Sequence, residues 1–199
     1  TMIKLVTKTE LFTLAMATML ATASCAQTES PQTTTTGRPA QAQSSDTATV
    51  YFTRSITPEA LVEIYKAVGV EAKGRVAVKI STGESRQSNQ LEPALIADLV
   101  HTVNGTLVEC NTAYGGSRSS TAMHMQVAED HGFTKIANVD ILDSEGDIEL
   151  PVINGKHLKF DAVGSHFKNY DFVLVLTHFK GHAMGGFGGS PWSAANFYG

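Results

Sequence analysis

The segment 171–177 constrains the fold more than any other part of the chain, because it reads DFVLVLT and contains no apolar–polar alternation. A strand that is apolar on both faces has to be covered on both faces, which is typical of a central strand in a parallel sheet. Three further strand candidates alternate with segments that have helical spacing, and they lie at 75–80, 106–110 and 135–142. This alternation predicts a single α/β domain with a mainly parallel sheet flanked by helices.

Local signals place the ends of several elements. Residues 49–54 (TVYFTR) are rich in β-branched and aromatic residues, which predicts a strand. Thr57 followed by Pro58 is typical of a helix start, and Gly69 of a helix end. Further helices are expected at 91–103 and 119–131. The Asn154-Gly155 pair predicts an antiparallel hairpin near 148–163.

Charge and cysteine content exclude several classes of protein. The chain of 199 residues has 15 basic and 19 acidic side chains, a net charge of −4, and no basic run. Electrostatic binding of nucleic acid needs a basic face, so we expect no nucleic-acid partner. Only Cys25 and Cys110 are present, and they do not form a CxxC motif. Cys110 lies in an apolar context, which predicts a buried and inert thiol.

The first 48 residues are interpreted as an export signal and a tether. Lys4 and Lys8 precede an apolar run at 11–21, which is followed by small residues and Cys25. This order is typical of a secretory signal at 1–24. It resembles a bacterial lipoprotein signal, with Cys25 lipidated in the cell envelope and the domain facing the periplasm or the outside. The alternative is an ordinary signal peptide with an incidental cysteine.

The composition of the segment 25–48 predicts a disordered tether. The apolar run at 11–21 is too short to span a bilayer, which takes about 20 residues. Because the leader and the tether account for residues 1–48, the folded domain is expected at 49–199.

Three polar segments follow predicted strands, where open α/β sheets bind their ligands. The first begins with Lys79, at the end of a predicted strand. Lys79 either points into a cleft as a catalytic residue or extends its amine from the sheet edge into solvent.

The second polar segment runs from Tyr114 through two glycines to Arg118 and into a helix. Paired glycines, a helix start and a forked guanidinium together favour an anion site. We predict that Tyr114, Arg118, Thr121 and His124 bind the substrate. A structural histidine is the alternative for His124.

The third polar segment contains His178, Lys180 and His182, which lie on one side if the strand continues. We predict that these three side chains act in catalysis and that the two histidines are metal ligands. Two histidines without a third ligand leave the metal site incomplete. Five of the 17 glycines lie between 181 and 189, and Gly185 and Gly188 among them are expected to contact substrate.

Taken together, these motifs resemble the domain-of-unknown-function 362 family over residues 50–190. The motifs are Tyr114-Gly-Gly-x-Arg118-x-x-Thr121-x-x-His124, the Asp-His-Gly-Phe that begins at Asp130, and the glycine-rich segment from His178. The resemblance implies an uncharacterised iron–sulfur centre-type protein, because many members carry a ferredoxin-like cysteine cluster further along. It also implies a distant similarity to nickel-dependent lactate racemase-type proteins.

The sequence departs from the family after Ser190. Pro191-Trp192 stands where the family usually continues with an aliphatic residue and Lys-Asn. We expect the chain to be C-terminally truncated relative to the family. The cysteine ligands of the cluster are absent from this chain, so no residue is assigned to an iron–sulfur cofactor.

Three functions remain open on the sequence. The first is a redox or proton-transfer enzyme that acts on a small anionic substrate, with or without a metal. The second is a non-catalytic lipoprotein that binds a ligand or a metal. The third is a non-functional fragment.

Overall fold

The computed structural model describes residues 2–7, 49–84, 88–182 and 186–188. The expected tether at 25–48, the lipidation site Cys25 and the candidate Gly185 lie outside the described residues. Within the described ranges, no helix combines the length and the apolar character that crossing a bilayer requires.

A five-stranded sheet with the order β1-β7-β2-β3-β4 organises the domain. Strands β7, β2, β3 and β4 are parallel, and β1 pairs antiparallel with β7 at the edge. The mainly parallel sheet predicted from the sequence is therefore confirmed. The strands are β1 (Met2–Thr7), β2 (Val76–Lys79), β3 (Gly105–Glu109), β4 (Val139–Ile141), β5 (Asp147–Pro151), β6 (Phe160–Gly164), β7 (Phe172–Thr177), β8 (Lys180–His182) and β9 (Gly186–Gly188).

Both faces of the sheet are covered. Helices α1 (Pro58–Val68), α2 (Pro93–Thr102) and α3 (Thr121–Asp130) pack on one face. The β5–β6 pair and the 3-10 helix Ser165–Asn169 cover the other face. Every residue of β7 is buried, and its apolar side chains alternate between the two faces. The continuous apolar run at 171–177 thus forms the doubly covered strand that its composition predicts.

Helix α1 begins and ends where the sequence predicts. The Thr57 Oγ1 atom accepts a hydrogen bond from the Ala60 amide at 3.2 Å, and Pro58 is the first helical residue. Gly69 ends the helix with φ of 72°, a left-handed conformation that glycine adopts without strain.

The predicted hairpin is confirmed, but its loop is longer than the Asn154-Gly155 pair. Strands β5 and β6 pair antiparallel from Asp147 opposite Gly164 to Pro151 opposite Phe160. Residues 152–159 form the loop, in which Asn154 adopts φ of 58°. The Asn-Gly pair therefore turns the chain inside a loop and does not join the strands directly.

The prediction of a strand at 49–54 is wrong for this structure. These residues pair with no strand, and the Val50 and Phe52 side chains are 82% and 83% exposed. The segment Met2–Thr7, interpreted from the sequence as part of the leader, occupies the edge position beside β7. Strand propensity marks a segment that can pair, but the partner is chosen by the tertiary structure.

Candidate functional site

The strand order locates the place where a ligand site is expected. The chain moves from β2 outward through β3 to β4 and then returns to the opposite side of β2 as β7. Open α/β sheets bind ligands beyond the carboxyl ends of the strands at such a reversal of order. Lys79 ends β2, Glu109 ends β3 and Thr177 ends β7, and all three are buried.

Lys79 lies entirely inside the protein. Its Nζ atom donates a hydrogen bond to the Ile80 carbonyl oxygen at 2.7 Å, and the side chain is not accessible to solvent. Burial lowers the pKa of Lys79, while the nearby Glu109 carboxylate opposes that shift. The alternative in which Lys79 extends its amine into solvent is therefore wrong.

Glu109 is the centre of the buried polar cluster at this edge. Its Oε1 atom accepts a hydrogen bond from Arg118 Nη1 at 2.6 Å, and its Oε2 atom accepts from the Thr82 amide and hydroxyl, each at 2.7 Å. Burial alone would raise the pKa of Glu109, but Lys79, His124 and Arg118 outweigh burial and lower the pKa to about 2. Glu109 is therefore an ionised anchor for the groups around it.

His124 is fully buried and lies against Thr82 and Glu109. Its Nε2 atom is 2.9 Å from Thr82 Oγ1 and 3.2 Å from Glu109 Oε2. We assign the ring proton to Nε2, because the single hydroxyl proton of Thr82 is donated to Glu109 and leaves Thr82 Oγ1 as an acceptor. The Nδ1 atom is 3.4 Å from Asn111 Oδ1. A structural role and a substrate role are both compatible with this position.

Arg118, predicted to hold a substrate anion, is held by two carboxylates of the chain itself. Nη1 pairs with Glu109 and Nη2 with Glu84, while the buried Nε atom has no hydrogen-bond partner among the described residues. The Tyr114 hydroxyl donates to Glu84 Oε1 at 3.4 Å. The Glu84 side chain is 45% exposed, so it lies between Arg118 and solvent.

The loop between β3 and α3 holds Arg118 in place. The Thr112 amide donates to the Arg118 carbonyl oxygen at 2.9 Å. Gly116 adopts φ of 142°, a conformation that side-chain-bearing residues rarely adopt. Thr121, the first residue of α3, accepts a hydrogen bond from Asn111 Nδ2 at 3.1 Å. Thr121 therefore supports the cluster through Asn111.

The glycine-rich segment does not extend β7. Strand β7 ends at Thr177, and a separate short hairpin of β8 and β9 begins at Lys180. The alternation that was expected to align three side chains is therefore interrupted at His178. The side chains of His178 and Lys180 are exposed, whereas that of His182 lies outside the described part. Their catalytic role stays a prediction.

Gly188 is buried, and a Cβ atom there would lie 3.7 Å from Lys180 Cγ. That distance is an ordinary contact, so packing alone does not require glycine. Among the described residues, no three His, Cys, Asp or Glu side chains come together to hold a metal ion.

Sequence reasoning missed the carboxylate at the centre of the cluster. Glu109 interrupts the apolar run Leu107-Val108-Glu109-Cys110, and that interruption is the signal that was available. A charged side chain in a buried strand has to find a partner, because an unpaired buried charge is very unfavourable. Thr82, Glu84 and Asn111 carried no comparable signal.

The surroundings of Cys110, the cysteine in the described part of the chain, do not favour an iron–sulfur ligand. The Cys110 thiol is buried, and burial is the main reason that its pKa is raised to about 12. A metal ligand needs the thiolate form, which this environment disfavours. The prediction that Cys110 is buried is confirmed, whereas its inertness stays a prediction, and Cys25 lies outside the described residues.

Comparison with known proteins identifies the family of this chain. No curated protein and no solved structure matches this chain. The family model described as domain of unknown function (DUF362) matches residues 76–191, which is more than half of the chain. The matched region contains Lys79, Glu109, Arg118 and His124, as well as the glycine-rich segment after β7. The chain therefore belongs to the family of the domain of unknown function DUF362.

Proposed function

We propose that this domain binds a small anionic ligand at the carboxyl edge of the sheet and transfers a proton there. The observation that carries the proposal is the burial of Glu109, Arg118 and His124 in one hydrogen-bonded cluster at that edge, with the charge of the buried Lys79 acting on Glu109 from the end of the neighbouring strand β2. Burying charged groups is costly, and such groups with shifted pKa values are concentrated at functional sites. Their position at the reversal of strand order supports the same conclusion.

The anion takes the place of Glu84 on Arg118. Glu84 already presents a carboxylate to Nη2, and it is the more exposed member of the pair. A ligand carboxylate or phosphate offers the same charge-assisted hydrogen bonds. A Cβ atom at Gly116 would lie 3.8 Å from Glu84 Oε2, and one at Gly115 would meet nothing within 4 Å. The backbone beside Arg118 therefore leaves room for a bound group.

Lys79 and His124 are the groups that move protons. Because burial lowers the pKa of Lys79, its amine gives up a proton more readily than an exposed lysine does. Glu109, with a pKa of about 2, stays ionised near neutral pH and positions Arg118 and His124. The Thr82 hydroxyl connects His124 to Glu109.

The first prediction tests the anion site with phosphate and malonate as probes. Arg118→Lys removes the forked donor, and hydrogen bonds to charged groups contribute roughly 1.5–3 kcal/mol, so we expect affinity to fall about tenfold or more. Glu84→Gln removes the competing carboxylate and should strengthen binding. Isothermal titration measures both effects. Arg54→Lys, at an exposed arginine, is the matched control. Equal affinity in Arg118→Lys and Arg54→Lys would contradict the proposal.

A non-catalytic binding protein is the second candidate. It is favoured by the ion pairs of the cluster, in which Arg118 is held by the carboxylates of Glu84 and Glu109. Incorporation of deuterium from the solvent into small carboxylic acids, followed by NMR, separates the two functions. Exchange that depends on Lys79 is expected only if the protein is an enzyme.

The protein is further proposed to be exported and anchored through a lipid on Cys25. The order of basic, apolar and small residues before Cys25 supports this proposal. Binding of a metal by His178 and His182 is retained as a proposal on the sequence pattern alone.

A further inference from the structure

One edge of the sheet is occupied by residues that export would remove. Strand β1 pairs with β7 from Met2 opposite Thr177 to Thr7 opposite Phe172. Cleavage of the proposed leader at 1–24 would take β1 away and leave the outer N–H and C=O groups of β7 unpaired. An open edge on a buried apolar strand is a template for pairing with another segment.

The segment 49–54 has the properties of the missing strand. Its β-branched and aromatic residues favour a strand, yet it pairs with no strand among the described residues. Val50 and Phe52, two residues apart, are more than four-fifths exposed. In a strand their side chains would share one face. While β1 is in place, these two side chains are exposed and lie outside the two buried apolar clusters of the described residues.

The connection to α1 allows 49–54 to reach the edge of β7. Helix α1 begins at Pro58, shortly after this segment, and already contacts β1. Residues 55–75, including the helix, would form the crossover to β2. Parallel strands need a crossover of about a dozen residues or more, usually containing a helix, so this length is sufficient.

The crossover from 49–54 to β2 would also have the correct handedness. The step from 49–54 through α1 to β2 moves across the sheet in the same direction as the step from β2 through α2 to β3. Both helices pack on the same face. The two crossovers therefore share one handedness, as parallel units in a sheet do.

We propose that, once the leader has been removed, residues 49–54 pair with the outer edge of β7 and run parallel to it. The inference rests on the proposed export and cleavage, and it does not depend on the anion site. The processed domain then has a five-stranded, fully parallel sheet in place of one with an antiparallel edge.

Hydrogen exchange measured by mass spectrometry tests this pairing in the full chain and in a chain that begins at residue 25. The alternate amides of 50–53 that face β7 should exchange rapidly in the full chain and at least about tenfold more slowly in the shorter one. Protection of β7 should be the same in both. Rapid exchange of 50–53 in both chains, failure of the shorter chain to fold, or its dimerisation through an unprotected edge would overturn the proposal.

A pair of variants gives a second readout. Val50→Asn combined with Phe52→Asn should leave the urea midpoint of the full chain unchanged and lower that of the shorter chain. Ile56→Asn, at a side chain that is 66% exposed outside the segment, is the control and should change neither. Equal effects of the double variant in the two chains would contradict the pairing. The mass of the protein from cells reports separately whether cleavage occurs.

Discussion

Two carboxylates on neighbouring strands each contact a histidine, but their surroundings differ. Glu109 ends β3 and is buried with Lys79 and Arg118, whereas the Asp140 side chain, on β4, is 23% exposed. Asp140 Oδ1 accepts from His166 Nδ1 at 2.8 Å, and Oδ2 accepts from the Tyr170 hydroxyl at 2.7 Å. No lysine or arginine makes a described ion pair with Asp140.

The difference shows which feature marks a candidate site. The partners of Asp140 come from the 3-10 helix Ser165–Asn169 and the residue after it, so these bonds fasten that segment to β4. The partners of Glu109 come from the two loops at the carboxyl edge and from α3. A carboxylate–histidine contact is therefore not sufficient evidence of function. Buried cations at the carboxyl edge are the distinguishing feature.

The largest effect is expected for Glu109→Gln. This change leaves Arg118 buried without the Glu109 carboxylate, and breaking a buried ion pair typically costs about 3–5 kcal/mol. Urea denaturation measures the loss in the free energy of unfolding. Glu63→Gln, at an exposed glutamate, is the control and should cost less than about 1 kcal/mol. A loss for Glu109→Gln as small as that of the control would mean that the cluster is not strongly coupled.

A smaller effect is expected for Asp140→Asn. The amide keeps one acceptor for His166 or Tyr170 but loses the charge, and an impaired hydrogen bond of this kind costs about 1–3 kcal/mol. Anion binding should be unchanged, because the Asp140 group lies outside the Glu109 cluster. Glu145→Gln is the matched control, since its exposed carboxylate lies 3.4 Å from His166 Nε2. Weakened phosphate binding in Asp140→Asn would remove the distinction between the two clusters.

The last comparison concerns pH, and the two clusters should respond in opposite directions. The pKa of Glu109 is lowered to about 2, so its contribution to stability is present above its ordinary pKa of about 4.3 and is lost as the pH falls toward 2. The hydrogen bond to Asp140 is the main reason that the pKa of His166 is raised. The contribution of this hydrogen bond to stability is complete below about pH 6.5, the ordinary pKa of histidine. It is lost as the pH rises through the raised pKa of His166.

Melting temperatures recorded between pH 2 and 9 would give stability as a function of pH, with an acidic limb for the loss at low pH and a second limb for the loss above neutrality. Glu109→Gln should flatten the acidic limb, and Asp140→Asn should flatten the limb above neutrality. An acidic limb that is unchanged in Glu109→Gln would show that other carboxylates govern acid unfolding.

Some of the site was predictable and some was not. Arg118 and His124 follow a predicted strand, so the rule for open α/β sheets placed them correctly at the carboxyl edge. Their interactions with Glu84, Glu109 and Thr82 were not predictable, because such contacts join residues 9 to 42 positions apart in the chain. The alignment expected beyond Thr177 failed because alternation holds only while a strand continues, and β7 ends there.

The sequence by itself determined the local elements: the helix that starts at Thr57-Pro58, its end at Gly69, and the buried strand β7. These depend on capping, backbone conformation and apolar patterning within a few residues. Only the tertiary structure decided that Met2–Thr7 pairs with β7 while 49–54 does not, and that Glu109 balances Lys79 and Arg118. Strand pairing and buried ion pairs join distant parts of the chain, and their energies depend on which other segments compete for the same position.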